Sequence, residues 1–205
     1  MRKGVHGDLV MVRHAPTTRA PGVPSSAWQL APGAMERTAA LAMALAKVRL
    51  AVPGDEGALG PLDAIVSSFE AKALGTAKTL GLVLGLQSVT GTDLEEHRRA
   101  NVPHMADAEF KRTMRRFFAR PDVLVFGNET ADEAKRRFLA GVGAAVSARA
   151  GKRLAVVSHG TVIALALAKA NDVDPFTLWE SLRLPEAIVV RQSDWRIIER
   201  LALEE

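Results

Sequence analysis

The chain has 205 residues, 27 of them Lys or Arg and 23 Asp or Glu, for a formal net charge of +4, and it contains no cysteine. Without thiols there is no disulfide, Cys nucleophile or Cys-ligated zinc, which fits a reducing, cytoplasmic compartment. A basic excess this small, with 5% aromatic residues, favours small anionic ligands over nucleic acid, and no apolar run approaches the ~20 residues of a membrane span.

Length and composition suit one soluble domain, 1–205. The basic N-terminal octapeptide lacks the apolar stretch of a signal peptide. Asp8–Val12 (DLVMV) predicts a first strand ending at Arg13-His14. Pro16, Pro21 and Pro24 keep Ala15–Ser26 out of helix. Ala34–Val48 has helical periodicity, and Ala51–Leu62, rich in Gly and Pro, is predicted to be loop. Asp63–Val66 reads as a second buried strand ending at Ser67-Ser68, followed by helix from Phe69 to Leu84. Gln87–Thr90 predicts a short strand, Asp93–Ala106 an irregular connection, and Asp107–Ala119 an amphipathic basic helix. The basic side chains of that helix (Lys111, Arg112, Arg115, Arg116) are expected on its wet face.

Thr130, with Glu133 three residues on, marks the N-cap of a helix over Ala131–Ala150. Arg153–Val157 (RLAVV) is a third strand, ending at Ser158-His159-Gly160. A helix to Lys169, a shorter one from Pro175, and strands at Ala187–Val190 and Arg196–Leu201 complete the chain, and the last apolar strand offers an edge for a homodimer.

Strands alternating with helices predict an α/β fold, a mostly parallel central sheet covered on both faces. Ligands of such sheets bind beyond the carboxyl ends of the strands. The three most strand-like runs end in Arg-His, Ser-Ser and Ser-His-Gly, so groups capable of chemistry converge on one edge. Gly160 opens a predicted helix, whose free N–H groups favour an anion. Two imidazoles, a guanidinium and a helix N-terminus around one point suit a phosphoryl group. The rival signatures are missing: no His-x-His or His-Glu-x-x-His pair for zinc, no Gly-x-Ser-x-Gly elbow, and no Gly-x-x-x-x-Gly-Lys-Ser/Thr loop.

The segment Leu9-Val10-Met11-Val12-Arg13-His14-Ala15-Pro16-Thr17 resembles the first motif of the histidine phosphatase superfamily, the phosphoglycerate mutase-like fold. Ser67-Ser68-Phe69-Glu70-Ala71-Lys72-Ala73-Leu74-Gly75-Thr76-Ala77 resembles its Ser-Ser-x-x-x-Arg-Ala-x-x-Thr-Ala motif. Leu94-Glu95-Glu96 resembles its Leu-x-Glu segment, Gly127-Asn128-Glu129-Thr130 its Gly-Glu-Ser, and Val156-Val157-Ser158-His159-Gly160 its last motif. The matches keep family order from about residue 8 to 170. Ala15 stands where the family has Gly, the Asn that often follows Thr17 is replaced, and Lys72 takes the place of the second Arg.

The resemblance implies a phosphomonoester phosphatase with a three-layer α/β/α fold and a small phosphorylated substrate. It implies His14 as nucleophile, Glu96 as general acid and base, and His159 as the second catalytic imidazole. Arg13 and Lys72 would bind phosphate, with no metal and no other cofactor. Arg98 and Arg99 are further candidates for substrate contact. A phosphoglycerate-type mutase and a phospho-ligand binding protein with weak turnover remain open alternatives, and the specificity loops Ala15–Ser26 and Leu94–Ala106 match no single substrate pattern.

Overall fold

The computed structural model describes residues 9–20, 22–52, 55–103 and 105–203. The N-terminal octapeptide, Pro21, Pro53 and Gly54, which entered the sequence reading, lie outside the described residues. Among those described, six strands form one sheet. Strands β1 (Leu9–Arg13), β4 (Ala64–Ser67), β5 (Ser88–Thr90) and β6 (Leu154–Ser158) run parallel, whereas β7 (Glu186–Arg191) and β8 (Arg196–Ala202) are antiparallel additions. The spatial order is β5-β4-β6-β1-β7-β8.

The central strands are apolar throughout because helices cover both faces. Alternate residues divide between two cores. Leu9 and Met11 of β1, with Leu154 and Val156 of β6, face the helices α3 (Asp107–Ala119), α4 (Ala131–Ser147), α5 (Gly160–Leu167) and α6 (Pro175–Ser181). Val10, Val12, Ala155 and Val157 face α1 (Ala34–Leu45) and α2 (Ala71–Leu84), where Leu41, Leu45, Ala77 and Leu80 fill the space. The expected three layers are present.

Local signals set several boundaries. The Thr130 hydroxyl accepts the Glu133 amide (3.1 Å), and the Glu133 carboxylate accepts the Thr130 amide (2.8 Å), the reciprocal cap expected before α4. Helix α3 has the predicted limits, and Lys111, Arg112, Arg115 and Arg116 are exposed on it.

The segment predicted as loop at 51–62 is different. Leu50–Val52 (β2) and Asp55–Gly60 (β3) pair as a small antiparallel ribbon. Its glycines and prolines mask the strand signal, and tertiary contact supplies what propensity lacks. Arg153 Nε donates to Leu50 O (3.2 Å), and a Cβ on Gly60 would lie 2.5 Å from the Arg153 guanidinium carbon. Only glycine lets that side chain pass.

The register places the site. Arg13 pairs with Ser158 and Ser67 with Val157. The ladder continues one step further, with the His14 amide on Ser158 O (3.0 Å) and the Ser68 amide on Val157 O (2.9 Å).

Phe138 of α4 is wholly buried in the larger core. Phe138→Ala should cost about 3–5 kcal/mol, through lost burial and the cavity left behind. Urea unfolding measures it, and a loss below about 1 kcal/mol would contradict this packing.

Candidate active site

His14 leaves the end of β1 at the floor of a cavity of about 590 Å³. Its Nδ1 lies 2.8 Å from Ala15 O. A carbonyl oxygen only accepts, so Nδ1 carries the proton and Nε2 keeps a free lone pair. The ring is thereby presented as a nucleophile. Burial, then His159, Lys72 and Arg13, push the His14 pKa well below its usual 6.5 against the opposing Ala15 hydrogen bond, so the ring is neutral at physiological pH. Ala15 is itself fully buried, its amide donating to Thr76 Oγ1 (3.0 Å), so the extra methyl is packed.

His159 follows β6, its ring centroid 5.2 Å from that of His14. Its Nε2 lies 2.9 Å from Ser68 Oγ, which also accepts the Glu70 amide (3.3 Å). The His159 Nε2 also lies 3.7 Å from Glu70 Oε1, and its Nδ1 is a buried atom without a hydrogen-bond partner among the described residues. Burial, with Lys72, holds the His159 pKa well below 6.5, although Glu96 opposes the shift.

The Arg13 guanidinium packs over the first turn of α5. A Cβ on Gly160 would lie 2.9 Å from Arg13 Nε, which is why the tight turn at this point carries glycine.

Glu96 stands across the cavity on the irregular connection. Its Oε1 accepts the His97 amide (2.9 Å) and its Oε2 the Thr161 amide (3.3 Å). The N-terminus of α5, expected to favour a phosphoryl group, therefore also holds a carboxylate. Burial pushes the Glu96 carboxyl up, but Arg99, His159, the His97 amide and Lys72 outweigh it and hold the pKa at about 2.

Arg137 of α4 clasps this connection from behind. It donates to the main-chain oxygens of Asp93, Glu95 and Glu96 (each 3.1 Å) and pairs with Glu129 (2.6 Å). Ser158 Oγ adds a bond to Leu94 O (2.7 Å). An irregular loop is thus held as firmly as an element.

Lys72 lies on α2 and lines the cavity. It is 4% exposed, pairs with Glu70 (2.5 Å) and donates to Ser25 O (2.6 Å). An ammonium has three N–H donors, so one remains for a ligand.

The structure thus brings all five sequence-predicted residues together: Arg13, His14, Lys72 and Glu96 line the cavity, and His159 lies buried beside His14. Of the two further candidates, Arg99 lines the cavity while Arg98 turns away to Glu95 (2.6 Å). Arg99 Nη1 is buried without a partner, and its guanidinium carbon sits 5.1 Å from the Phe110 ring centroid.

Glu70 and Arg137 were not singled out from sequence, and Ser68 was read only as part of a strand end and the second motif. Glu70 orients Lys72 and also accepts the Glu96 amide (2.9 Å). Its one signal was its place inside the second motif. Among the described residues, no group of three or more His, Asp or Glu side chains is placed to hold a metal ion.

A sequence profile of the histidine phosphatase superfamily (branch 1) matches residues 9–193. No curated protein matches the sequence at a significant level. The fold is similar to that of a mycobacterial glucosyl-3-phosphoglycerate phosphatase complexed with VO3 (TM-score 0.65, 21% identity, 95% of this chain and 99% of that one). It is also similar to a phosphoserine phosphatase mutant from Entamoeba histolytica in complex with phosphoserine (TM-score 0.64, 16% identity, 94% and 95%). A third solved relative in fold is the alpha-ribazole phosphatase from Shigella flexneri (TM-score 0.64, 16% identity, 96% and 98%).

Two measurements check the electrostatics. The ring signals of His14 and His159, followed by NMR in the free protein, should titrate well below pH 6.5. Unfolded imidazoles take up protons near 6.5 while these two do not, so stability is full above that value and declines as the pH falls below it. Urea midpoints should drop from about pH 7.5 to about pH 5.5; a midpoint that rises, or a His14 signal titrating at 6.5 or above, would mean a solvated ring.

Proposed function

This chain belongs to the histidine phosphatase superfamily (branch 1), and on that footing we propose that it hydrolyses phosphomonoesters through a covalent phosphohistidine on His14. The observation that carries the reading is the His14 tautomer: Nδ1 spent on Ala15 O, and Nε2 free beside Arg13, Lys72, Arg99 and Glu96.

The Nε2 lone pair attacks phosphorus as the ester P–O bond breaks. Arg13, Lys72 and Arg99 hold the equatorial oxygens, with the Nδ1 of His159, unpartnered among the described residues, beside them. Positioning and charge make up most of the catalysis in such a transfer. At rest Glu96 is ionised and has no proton to give. A phosphomonoester that enters as its monoanion brings one, and its charge offsets Arg99 and Lys72, the cations that hold Glu96 down. Glu96 then accepts that proton and passes it to the leaving oxygen. In the second half-reaction the carboxylate takes a proton from water as that water attacks the phosphohistidine. Inorganic phosphate departs and His14 is restored.

Hydrolysis is favoured over the mutase alternative by the state of the surrounding charges. A mutase needs further cations to retain a bisphosphate intermediate. On the cavity wall Arg19 is paired with Asp107 and Lys111 with Glu180. Intact His14, Glu96 and His159 favour turnover over simple binding.

His14→Ala should lower phosphate release by about a thousandfold or more, and acid-free quenching of the parent enzyme should trap acid-labile phosphohistidine at residue 14. Substantial residual turnover would rule out the covalent route. Vanadate should inhibit in the presence of chelator, as a five-coordinate phosphorus mimic.

Glu96→Gln should slow alkyl phosphates by about 10²–10⁴, and p-nitrophenyl phosphate far less, because a nitrophenolate leaves without a proton. Equal losses on the two esters would remove Glu96 as the acid. Rapid 3- to 2-phosphoglycerate interconversion without phosphate release would establish the mutase instead.

A further inference from the structure

A second cavity, of about 270 Å³, opens beside the catalytic one. Trp28, Arg99 and Phe110 line both, so the two are continuous. Beyond these shared residues its wall is formed largely by Val23, Val102, Met105 and Phe126. The walls come from the loop after β1, the connection that follows Glu96, the start of α3 with Phe110, and Phe126 beyond that helix. Their hold on the body is specific: Lys72 fixes Ser25 O, the Thr18 amide donates to Gln29 O (3.0 Å), and the Asn128 amide donates to Arg98 O (2.7 Å).

Several polar groups of this cavity are already engaged. Trp28 Nε1 donates to Val23 O (3.0 Å), and Arg19 and Asp107 pair with each other. Arg99 makes no close ion pair among the described residues, its charge acting on Glu96, and it stands at the junction with the catalytic cavity, against the Phe110 face. With Arg99 committed to the phosphoryl group, a carboxylate or second phosphate entering here would lose its water against walls that are mostly apolar among the described residues. A hydrocarbon group would displace water from aromatic and aliphatic walls at no such cost. The volume lies at or below the ~300 Å³ lower bound typical of whole-ligand sites, which suits one part of a substrate.

We propose that this apolar cavity receives the leaving group of the substrate, and that the enzyme selects phosphomonoesters of alcohols with a ring or branched hydrocarbon body next to the phosphoryl oxygen. This rests on the phosphatase reading above and names its substrate class. Arg99 marks the boundary: its guanidinium grips the phosphoryl group on one side and stacks on Phe110 on the other. Phosphates of polyhydroxylated or carboxylated alcohols are discriminated against, because their polar groups would be stranded against Val102, Met105 and Phe126.

The test compares esters with alkoxide leaving groups, so that leaving-group chemistry is matched: benzyl, 2-phenylethyl and ethyl phosphate against phosphoserine and 3-phosphoglycerate. The expected result is a kcat/KM at least about tenfold higher for the two ring-bearing esters, the discrimination that an added apolar group can supply. In Val102→Asp the ratio of kcat/KM for benzyl over ethyl phosphate should fall at least about tenfold. The ratio is read within one protein, so a partly misfolded preparation does not alter it, and Met105→Asn is a second variant with the same expected direction.

Equal efficiency across the series, a preference for 3-phosphoglycerate or phosphoserine, or an unchanged ratio in both variants overturns the proposal and leaves the phosphatase reading standing. Failure to release phosphate from any ester overturns the phosphatase reading. The cavity is then still read by calorimetry with benzylphosphonate and ethylphosphonate, which need no turnover. Tenfold tighter binding of the benzyl compound supports the cavity assignment, and equal affinities overturn it.

Discussion

The parallel register of β1 against β6, with Arg13 opposite Ser158, determines where two imidazoles meet. Side chains alternate between the faces of a strand, so a slip of one residue would turn His14 and every other side chain of β1 to the opposite face. That slip is blocked by burial on both faces. Val10 and Val12 fill one core and Leu9 and Met11 the other, and neither helical layer tolerates the exchange. Packing thus holds the catalytic ring in place from a distance, and the Ala15 carbonyl sets its tautomer.

Around that ring lies an unusual concentration of buried charge. Glu70, Lys72, Glu96 and Glu129 are each under a tenth exposed. Buried ion pairs contribute little net stability, since the cost of desolvation consumes the Coulomb gain. Their contribution here is orientation. Glu70 holds Lys72 at the cavity edge and the Glu96 amide behind it, while Glu129 holds Arg137, and Arg137 holds the carbonyls of the connection carrying Glu96. Each charge is placed by another, and the chain of contacts ends at Lys72 and Glu96 on the cavity wall.

The loops differ from this scaffold in what they expose. Ala15–Ser26 and Leu94–Ala106 match no substrate pattern in the sequence, and both contribute to the wall of the apolar cavity, with Trp28, Phe110 and Phe126. A fold built this way keeps His14 and His159 on the ends of its strands and puts Val102 and Met105 on a connection, where they can change without disturbing the sheet.

The sequence by itself determined the α/β alternation and the three strand ends with groups capable of chemistry, while Lys72 and Glu96 came from the motifs it shares with a family. These are local: an apolar run ending in Arg-His or Ser-His-Gly, and a helix opened by Thr130 and Glu133, can be read without knowing their neighbours. The ribbon at residues 50–60 could not, because its pairing depends on Arg153, about a hundred positions away. Nor could Glu70 and Arg137, whose meaning lies in the distant groups they touch. The choice between Arg98 and Arg99 was equally out of reach, since adjacent residues differ only in which way the folded connection turns them. Tertiary structure alone decided that Glu96 occupies the N-terminus of α5, because the Thr161 amide meets its carboxylate across 65 residues of chain.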